Sequence, residues 1–250
     1  MRYTTFLAQL HALLEPRAYL EIGIRNGMSL SLARCPAVGV DPAYRVTAEL
    51  SGEVHLHRTT SDEFFAREKP LAALRDPVDL AFIDGLHLFE FALRDLINTE
   101  RHCSPASVIV FDDVLPRTVD EAARQRHTSA WTGDVYSVIP TLQRHRPDVT
   151  TVLVDTQPTG LMLVLGLDPA DSTLVDEYDA IMAEFRRPDP QPVPRQILER
   201  SAVHAPERIL EAGFWSVLRE QRNAPAPDFH RRLREQLAAD LGEAYAPMDN

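Results

Sequence analysis

Three aspartates and one histidine carry the chemistry this sequence could perform. Asp84 closes the apolar run AFI, His87 follows it in a D-x-x-H spacing, and Asp112 and Asp113 close the run SVIVF. If both runs are strands of one sheet and lie side by side, their ends stand ~4.8 Å apart, so three carboxylates crowd one edge. Bare carboxylates that close repel one another, and they either take up protons or gather a cation. A single aspartate at a strand end more often caps a helix or pairs with an arginine; the trio is what points to a divalent metal. An all-oxygen set made of Asp84, Asp112 and Asp113 favours magnesium, manganese or calcium over zinc or copper, with Mg2+ the expected ion. His87 could serve as general base, substrate contact or further ligand.

The elements around these residues must bring them together. Residues 79–114 read as two buried strands joined by one amphipathic helix, for which a right-handed parallel crossover is the default. Upstream, residues 4–14 have the apolar spacing of a lead-in helix, and residues 18–22 (AYLEI) read as a first strand. Gly23-Ile24-Arg25-Asn26-Gly27 then turns into a helix expected over residues 29–34. Strand 37–40 delivers Asp41, an acid suited to ribose hydroxyls. Strand 54–57 is followed by Thr60-Ser61-Asp62-Glu63, a T-x-x-E capping box that opens a helix with Phe64 and Phe65. An adenine could lie at the Thr60-Ser61 turn. The glycine turn has Arg25 where a dinucleotide fingerprint needs its second glycine for a pyrophosphate. S-adenosylmethionine has no pyrophosphate, so E-x-G-x-x-x-G is adequate for it, and a nicotinamide-dependent dehydrogenase is the weaker choice.

Downstream, residues 116–129 read as a long mobile loop ending at Trp131-Thr132-Gly133-Asp134. Such loops close over sites, and Trp131 could contact the acceptor or simply anchor local packing. Helix 135–144, the hairpin-like strands 149–154 and 161–165, and helix 172–186 complete a domain spanning 1–186. Residues 187–194 (RPDPQPVP) form a proline-rich linker that should be extended. The remainder, 195–250, is a helical C-terminal extension with helices at 206–222 and 228–241, too apolar on one face to be left in water. These could pack back on the domain, cover the site or join two copies as a homo-oligomer.

Composition bounds the function. A net charge of −11 disfavours nucleic acid and anionic membranes as partners. Cys35 and Cys103 are the two cysteines and have no C-x-x-C spacing, which argues against a zinc site or a disulfide framework. Thiols and an N-terminus without a long apolar run fit a cytoplasmic protein.

Taken in order, several motifs resemble class I S-adenosylmethionine-dependent methyltransferases. They are Glu21-Ile22-Gly23 with Asn26-Gly27, Val40-Asp41-Pro42, Ser61 to Phe65, Phe82-Ile83-Asp84-Gly85 with His87, Asp95-Leu96 and Phe111-Asp112-Asp113. More narrowly they are similar to metal-dependent small-molecule O-methyltransferases, the macrocin O-methyltransferase-like and cephalosporin-hydroxylase-like group. The resemblance implies an α/β, Rossmann-like, seven-stranded and mostly parallel sheet with helices on both faces and one antiparallel edge strand. It implies that Glu21, Gly23 and Ser29 lie near the cofactor's methionine part and Asp41 at its ribose, with Asn26, Gly27 and Ser61 further expected cofactor-binding residues. Asp84, Asp112 and Asp113 match the metal-binding acids. Leu86 stands where some relatives have a third acid, and Cys103-Ser104-Pro105-Ala106 replaces a Pro-Gly-Gly turn. The expected reaction is methyl transfer to a hydroxyl of a small molecule, sugar-bearing or aromatic, with Asp84 or His87 taking the proton. The alternative is a non-catalytic cofactor-binding or assembly protein.

Overall fold

The computed structural model describes residues 1–246; the end of the expected C-terminal extension, residues 247–250, lies outside the described residues. Helix α1 (Tyr3–Leu14) leads into strands β1 (Tyr19–Ile22), β2 (Ala37–Val40) and β3 (Val54–His57), then α2 (Ser61–Phe65). Strand β4 (Val78–Ile83), helix α3 (Phe89–Glu100) and strand β5 (Cys103–Phe111) form the central crossover, followed by α4 (Val138–His145) and the pair β6 (Thr150–Val154) and β7 (Leu161–Leu165). All seven strands form one sheet in the order β3-β2-β1-β4-β5-β7-β6. The strand order reverses at β1 and β4, which opens a crevice beyond their carboxyl ends.

Burial follows strand periodicity. Ala81, Ile83, Ile109 and Phe111 face one layer with Phe89, Leu93 and Leu96 of α3. Their neighbours Leu80, Phe82, Val108 and Val110 face the other, with Phe6, Leu7, Leu10 and Leu14 of α1. That second face is closed by the end of the chain. After α5 (Thr173–Asp176), α6 (Tyr178–Phe185), α7 (Arg195–Leu198) and α8 (Pro206–Leu210) come α9 (Phe214–Glu220) and α10 (Ala226–Leu241). Phe214, Trp215, Leu218, Phe229, Leu233 and Leu237 are buried there with α1 and the sheet. At roughly 1.5–3 kcal/mol for each such side chain, these helices are part of the sheet's core rather than a loose appendage. Of the outcomes open in the sequence, this one leaves the crevice uncovered by them. No helix among the described residues is long and apolar enough to cross a membrane.

Several elements differ from expectation. β7 is antiparallel to both neighbours and lies between β5 and β6 instead of at the edge. It is buried at all five positions whereas β6 alternates, so the more apolar strand takes the interior place. The helix expected over 29–34 is a single 3-10 turn, Leu30–Leu32. Ala33 is already extended (φ −61°, ψ 138°), which ends the turn, and β2 begins at Ala37. The long helices expected over 172–186 and 206–222 are each divided in two, at Glu177 and before Phe214. Residues 187–194 carry neither helix nor strand and bend at Asp189 and Pro190, and they are tied down: Gln191 is buried and Asp189 accepts the Arg124 N–H at 2.9 Å.

Under α1, His11 is buried edge-on against Tyr19 at 4.8 Å, and neither ring nitrogen has a hydrogen-bond partner among the described residues. Burial, aided by the charge of Arg34, pushes its pKa down to about 4. The unfolded chain therefore takes up this proton first, and stability is lost as the pH falls from about 6.5 towards 4, by roughly 2 kcal/mol at pH 5. Thermal melts should show the wild type losing more stability between pH 7 and pH 5 than His11→Leu does; equal losses would contradict this.

Candidate active site

The site begins with strand register. Ile83 pairs with Phe111 across β4 and β5, and the Asp112 N–H donates to the Ile83 carbonyl at 3.1 Å. Asp84 and Asp112 therefore leave the sheet in step. The next residue changes the outcome: Asp113 has φ +59°, a left-handed conformation that aspartate tolerates better than most side chains. Its own N–H is capped by Asp112 Oδ1 at 2.8 Å.

His87 lies between the two strand ends. Its Nε2 is 3.2 Å from Asp84 Oδ1 and 3.1 Å from Asp113 Oδ2, while Nδ1 meets the Trp131 carbonyl at 2.9 Å. Ligand atoms of Asp84, His87 and Asp113 all lie within 4.8 Å of one another. Asp112 is not in that group; its carboxylate is buried and supports the turn into Asp113. Of the three expected acids, the structure brings Asp84 and Asp113 together with His87, while Asp112 lines the same cavity. Leu86, half exposed, contributes no ligand atom.

Electrostatics account for the arrangement. Burial lowers the His87 pKa, but its hydrogen bond to Asp84 and the charges of Asp113 and Asp84 outweigh this and push it up to about 9. Burial and the charge of Asp84 push Asp113 up to about 6 against the opposing pull of His87. Asp112 is held well above the usual carboxylate range by burial and by its neighbours Asp113 and Asp84. Since Nδ1 faces a carbonyl, it must carry a proton, so Nε2 is the nitrogen turned to the acids. It can bridge them with a second proton, or offer a lone pair to a cation lying among them. Two carboxylates and one imidazole fit a divalent first-row ion. Their nitrogen donor also moves the preference from magnesium towards manganese, iron or zinc.

The wall behind His87 is the 116–133 loop, which was expected to be mobile and is instead fixed. Arg117 pairs with Glu121, and Arg124 pairs with Glu90 and with the fully buried Asp134. Asp134 Oδ1 also accepts the Phe89 N–H at 2.7 Å, capping α3. Trp131 donates from Nε1 to the Ala123 carbonyl and stacks on His87 at 5.1 Å. Its role as a packing anchor is therefore realised, while its edge still lines the cavity.

One cavity of about 570 Å³ joins this group to the glycine turn. Gly23, Asp41 and Ser61 line it, as do Asp84, His87, Asp112, Asp113 and Trp131. Gly23 has φ +92°, and a Cβ there would lie 1.8 Å from the Asp84 carbonyl oxygen; only glycine lets β1 end against β4. Asp41 accepts N–H groups from Arg25 at 2.8 Å and Ala43 at 2.6 Å. Ser61 opens α2, whose Thr60–Glu63 capping box is fully formed. The remaining expected cofactor residues stand behind the wall. Glu21 accepts hydrogen bonds from Tyr19 at 2.7 Å and Ser29 at 2.8 Å, and burial pushes its pKa up to about 8. The Asn26 carbonyl receives Thr47 and Ala48 N–H groups, and Gly27 packs against Val46. Several lining residues escaped sequence reasoning, Tyr3 and Thr159 among them. Tyr3 and Thr159 reach the cavity because Arg2 bridges to Gln157, a long-range pairing without a local signal.

A methyltransferase-domain family model matches residues 20–114. No curated protein matches the sequence. Among solved structures, the chain is similar to cofactor-bound Rv0187 from MTB, with 20% identity, TM-score 0.52, and coverage of 66% of this chain and 79% of that one. A provisionally assigned O-methyltransferase from Klebsiella pneumoniae gives 20%, 0.50, 66% and 80%. The SAH-bound methyltransferase PaMTH1 of Podospora anserina gives 16%, 0.50, 66% and 78%. At these identities the likeness is one of fold.

Gly133 tests how the loop holds the histidine. Its φ is +56° and a Cβ would fall 1.6 Å from the His87 carbonyl oxygen. Gly133→Ala should cost at least about 2 kcal/mol, a drop of roughly 4–8 °C in melting temperature; an unchanged melt would contradict this packing. Residues 20–114 thus match a methyltransferase-domain family model, and the sheet and helices around them complete a Rossmann-like fold shared with methyltransferases of known structure.

Proposed function

We propose that the protein transfers a methyl group from S-adenosylmethionine to a hydroxyl of a small molecule, with a divalent cation held by Asp84, His87 and Asp113. One observation carries this reading: those three donors converge in the same cavity that Gly23 and Asp41 line. A fold that needed only to bind a cofactor would have no use for half-buried acids converging beside it. The acceptor class inferred from the sequence resemblance, a sugar-bearing or aromatic natural product, is part of the same proposal.

S-adenosylmethionine supplies a methyl group on positively charged sulfur, and a cation at the acids would lower the pKa of an acceptor hydroxyl. The chain's own residues do the rest. Asp84 and Asp113 set a negative field where positive charge is to be held. His87, anchored through Nδ1 to the Trp131 carbonyl, offers Nε2 in a fixed direction. While Nε2 carries the bridging proton, or gives its lone pair to a cation, it cannot accept another proton, so proton acceptance falls to a carboxylate oxygen of Asp84 or Asp113. Trp131 and the pinned loop exclude water and limit the acceptor's approach.

Turnover can be followed as S-adenosylhomocysteine formed with a panel of sugar and catechol hydroxyl acceptors, with Mn2+ or Mg2+ added. Asp84→Asn and Asp113→Asn should each lower it by at least about 100-fold while S-adenosylhomocysteine still binds, whereas Asp112→Asn should cost under about tenfold. Full activity in excess chelator would sink the metal part of the proposal. Cofactor binding without transfer to any acceptor would favour a non-catalytic role.

A further inference from the structure

Arg25 stands in a conformation that side chains rarely adopt. Its φ is +48°, where glycine is free and an arginine is strained by on the order of 1 kcal/mol. The fold fixes it from both sides. Its N–H donates to Asp41 Oδ2 at 2.8 Å, and its carbonyl accepts the Arg45 N–H at 2.7 Å. This turn brings Arg25 to the cavity wall beside Gly23 and Tyr3. Among the described residues its guanidinium has neither an ion pair nor a hydrogen bond.

The surroundings indicate what such a cation would meet. Tyr3 is half-buried, and burial followed by the charges of Asp84, Asp112 and Glu21 pushes its phenol up to about 12, with Arg25 opposing. The hydroxyl therefore keeps its proton and can donate. With the ribose at Asp41, the cofactor's amino-acid tail must run past Gly23 into this end of the cavity. That tail bears an ammonium and a carboxylate. The carboxylate needs a cation, and Arg25 is the one on the glycine turn. Arg126, the other arginine lining the cavity, belongs to the loop that carries Trp131.

We propose that Arg25 binds the terminal carboxylate of the cofactor's amino-acid portion, with the Tyr3 hydroxyl as a second donor. The assignment rests on the S-adenosylmethionine reading. It also explains an arginine where a dinucleotide-binding turn would place glycine: the turn serves a carboxylate at the end of a flexible tail, not a pyrophosphate pressed against the backbone. A guanidinium and a carboxylate form a charge-assisted, two-pronged pair, so the site should select cofactors that carry the carboxylate.

Calorimetry with two probes tests this: S-adenosylhomocysteine, and its decarboxylated analogue, which keeps the ammonium. Wild-type protein should bind S-adenosylhomocysteine at least about tenfold more tightly than the analogue. In Arg25→Gly the preference should fall to within about twofold, with affinity for the analogue nearly unchanged. Glycine suits the left-handed turn, so this variant should melt no lower than wild type, and Arg25→Lys should keep an intermediate preference. A tenfold preference retained in Arg25→Gly, or no preference in the wild type, would overturn the assignment alone. Failure of the wild type to bind S-adenosylhomocysteine at all would overturn the cofactor reading beneath it.

Discussion

Two parallel strands that end in step leave their last side chains about 4.8 Å apart, and when both ends carry carboxylates something positive has to lie between them. β4 and β5 meet that condition at Asp84 and at Asp112 and Asp113. In the protein on its own, the imidazolium of His87 supplies the positive charge, its Nε2 within 3.2 Å of Asp84 and 3.1 Å of Asp113. A divalent cation could take over the same duty, because removing the bridging proton leaves a lone pair directed at the same space. Proton and metal are therefore alternative solutions to one electrostatic problem.

Much of the surrounding structure keeps that imidazole in place. Gly133 lets the loop approach the His87 backbone, Trp131 supports the ring, and Asp134 ties the loop to the start of α3. On the opposite wall, Gly23 allows β1 to end against the Asp84 carbonyl. The far face of the sheet is closed by α1 and the C-terminal helices, whose aromatic residues hold the strands flat against the layer that bears α3. The crevice can then be lined by polar and charged groups without weakening the core, since no apolar packing is asked of it.

What the sequence made legible was what local rules govern. β2 and β3 fall on the residues read as short strands, and the T-x-x-E box at Thr60 forms in full because both halves of it lie within one turn. The acids at the ends of β4 and β5 were visible as strand termini. The grouping of Asp113 with His87 was not, because it goes with a single dihedral, the left-handed φ of Asp113 at the end of β5. The rigidity of the 116–133 loop was also hidden. It comes from Arg124 meeting Glu90 and Asp134, pairs whose spacing in sequence carries no signal. Tyr3 stood just before the lead-in helix read over residues 4–14, and its neighbour's bridge to Gln157 brings it to the cavity.

The most direct measurement is a crystal structure of the protein with S-adenosylhomocysteine and Mn2+, with the metal located by its anomalous scattering. The account predicts one anomalous peak in contact with Asp84, His87 Nε2 and Asp113, with Asp112 outside the ligand set and the cofactor product in the same cavity. A peak ligated by Asp112 in place of His87 would contradict the donor set, and His87 still bridging both acids with no cation beside it would contradict the metal centre itself.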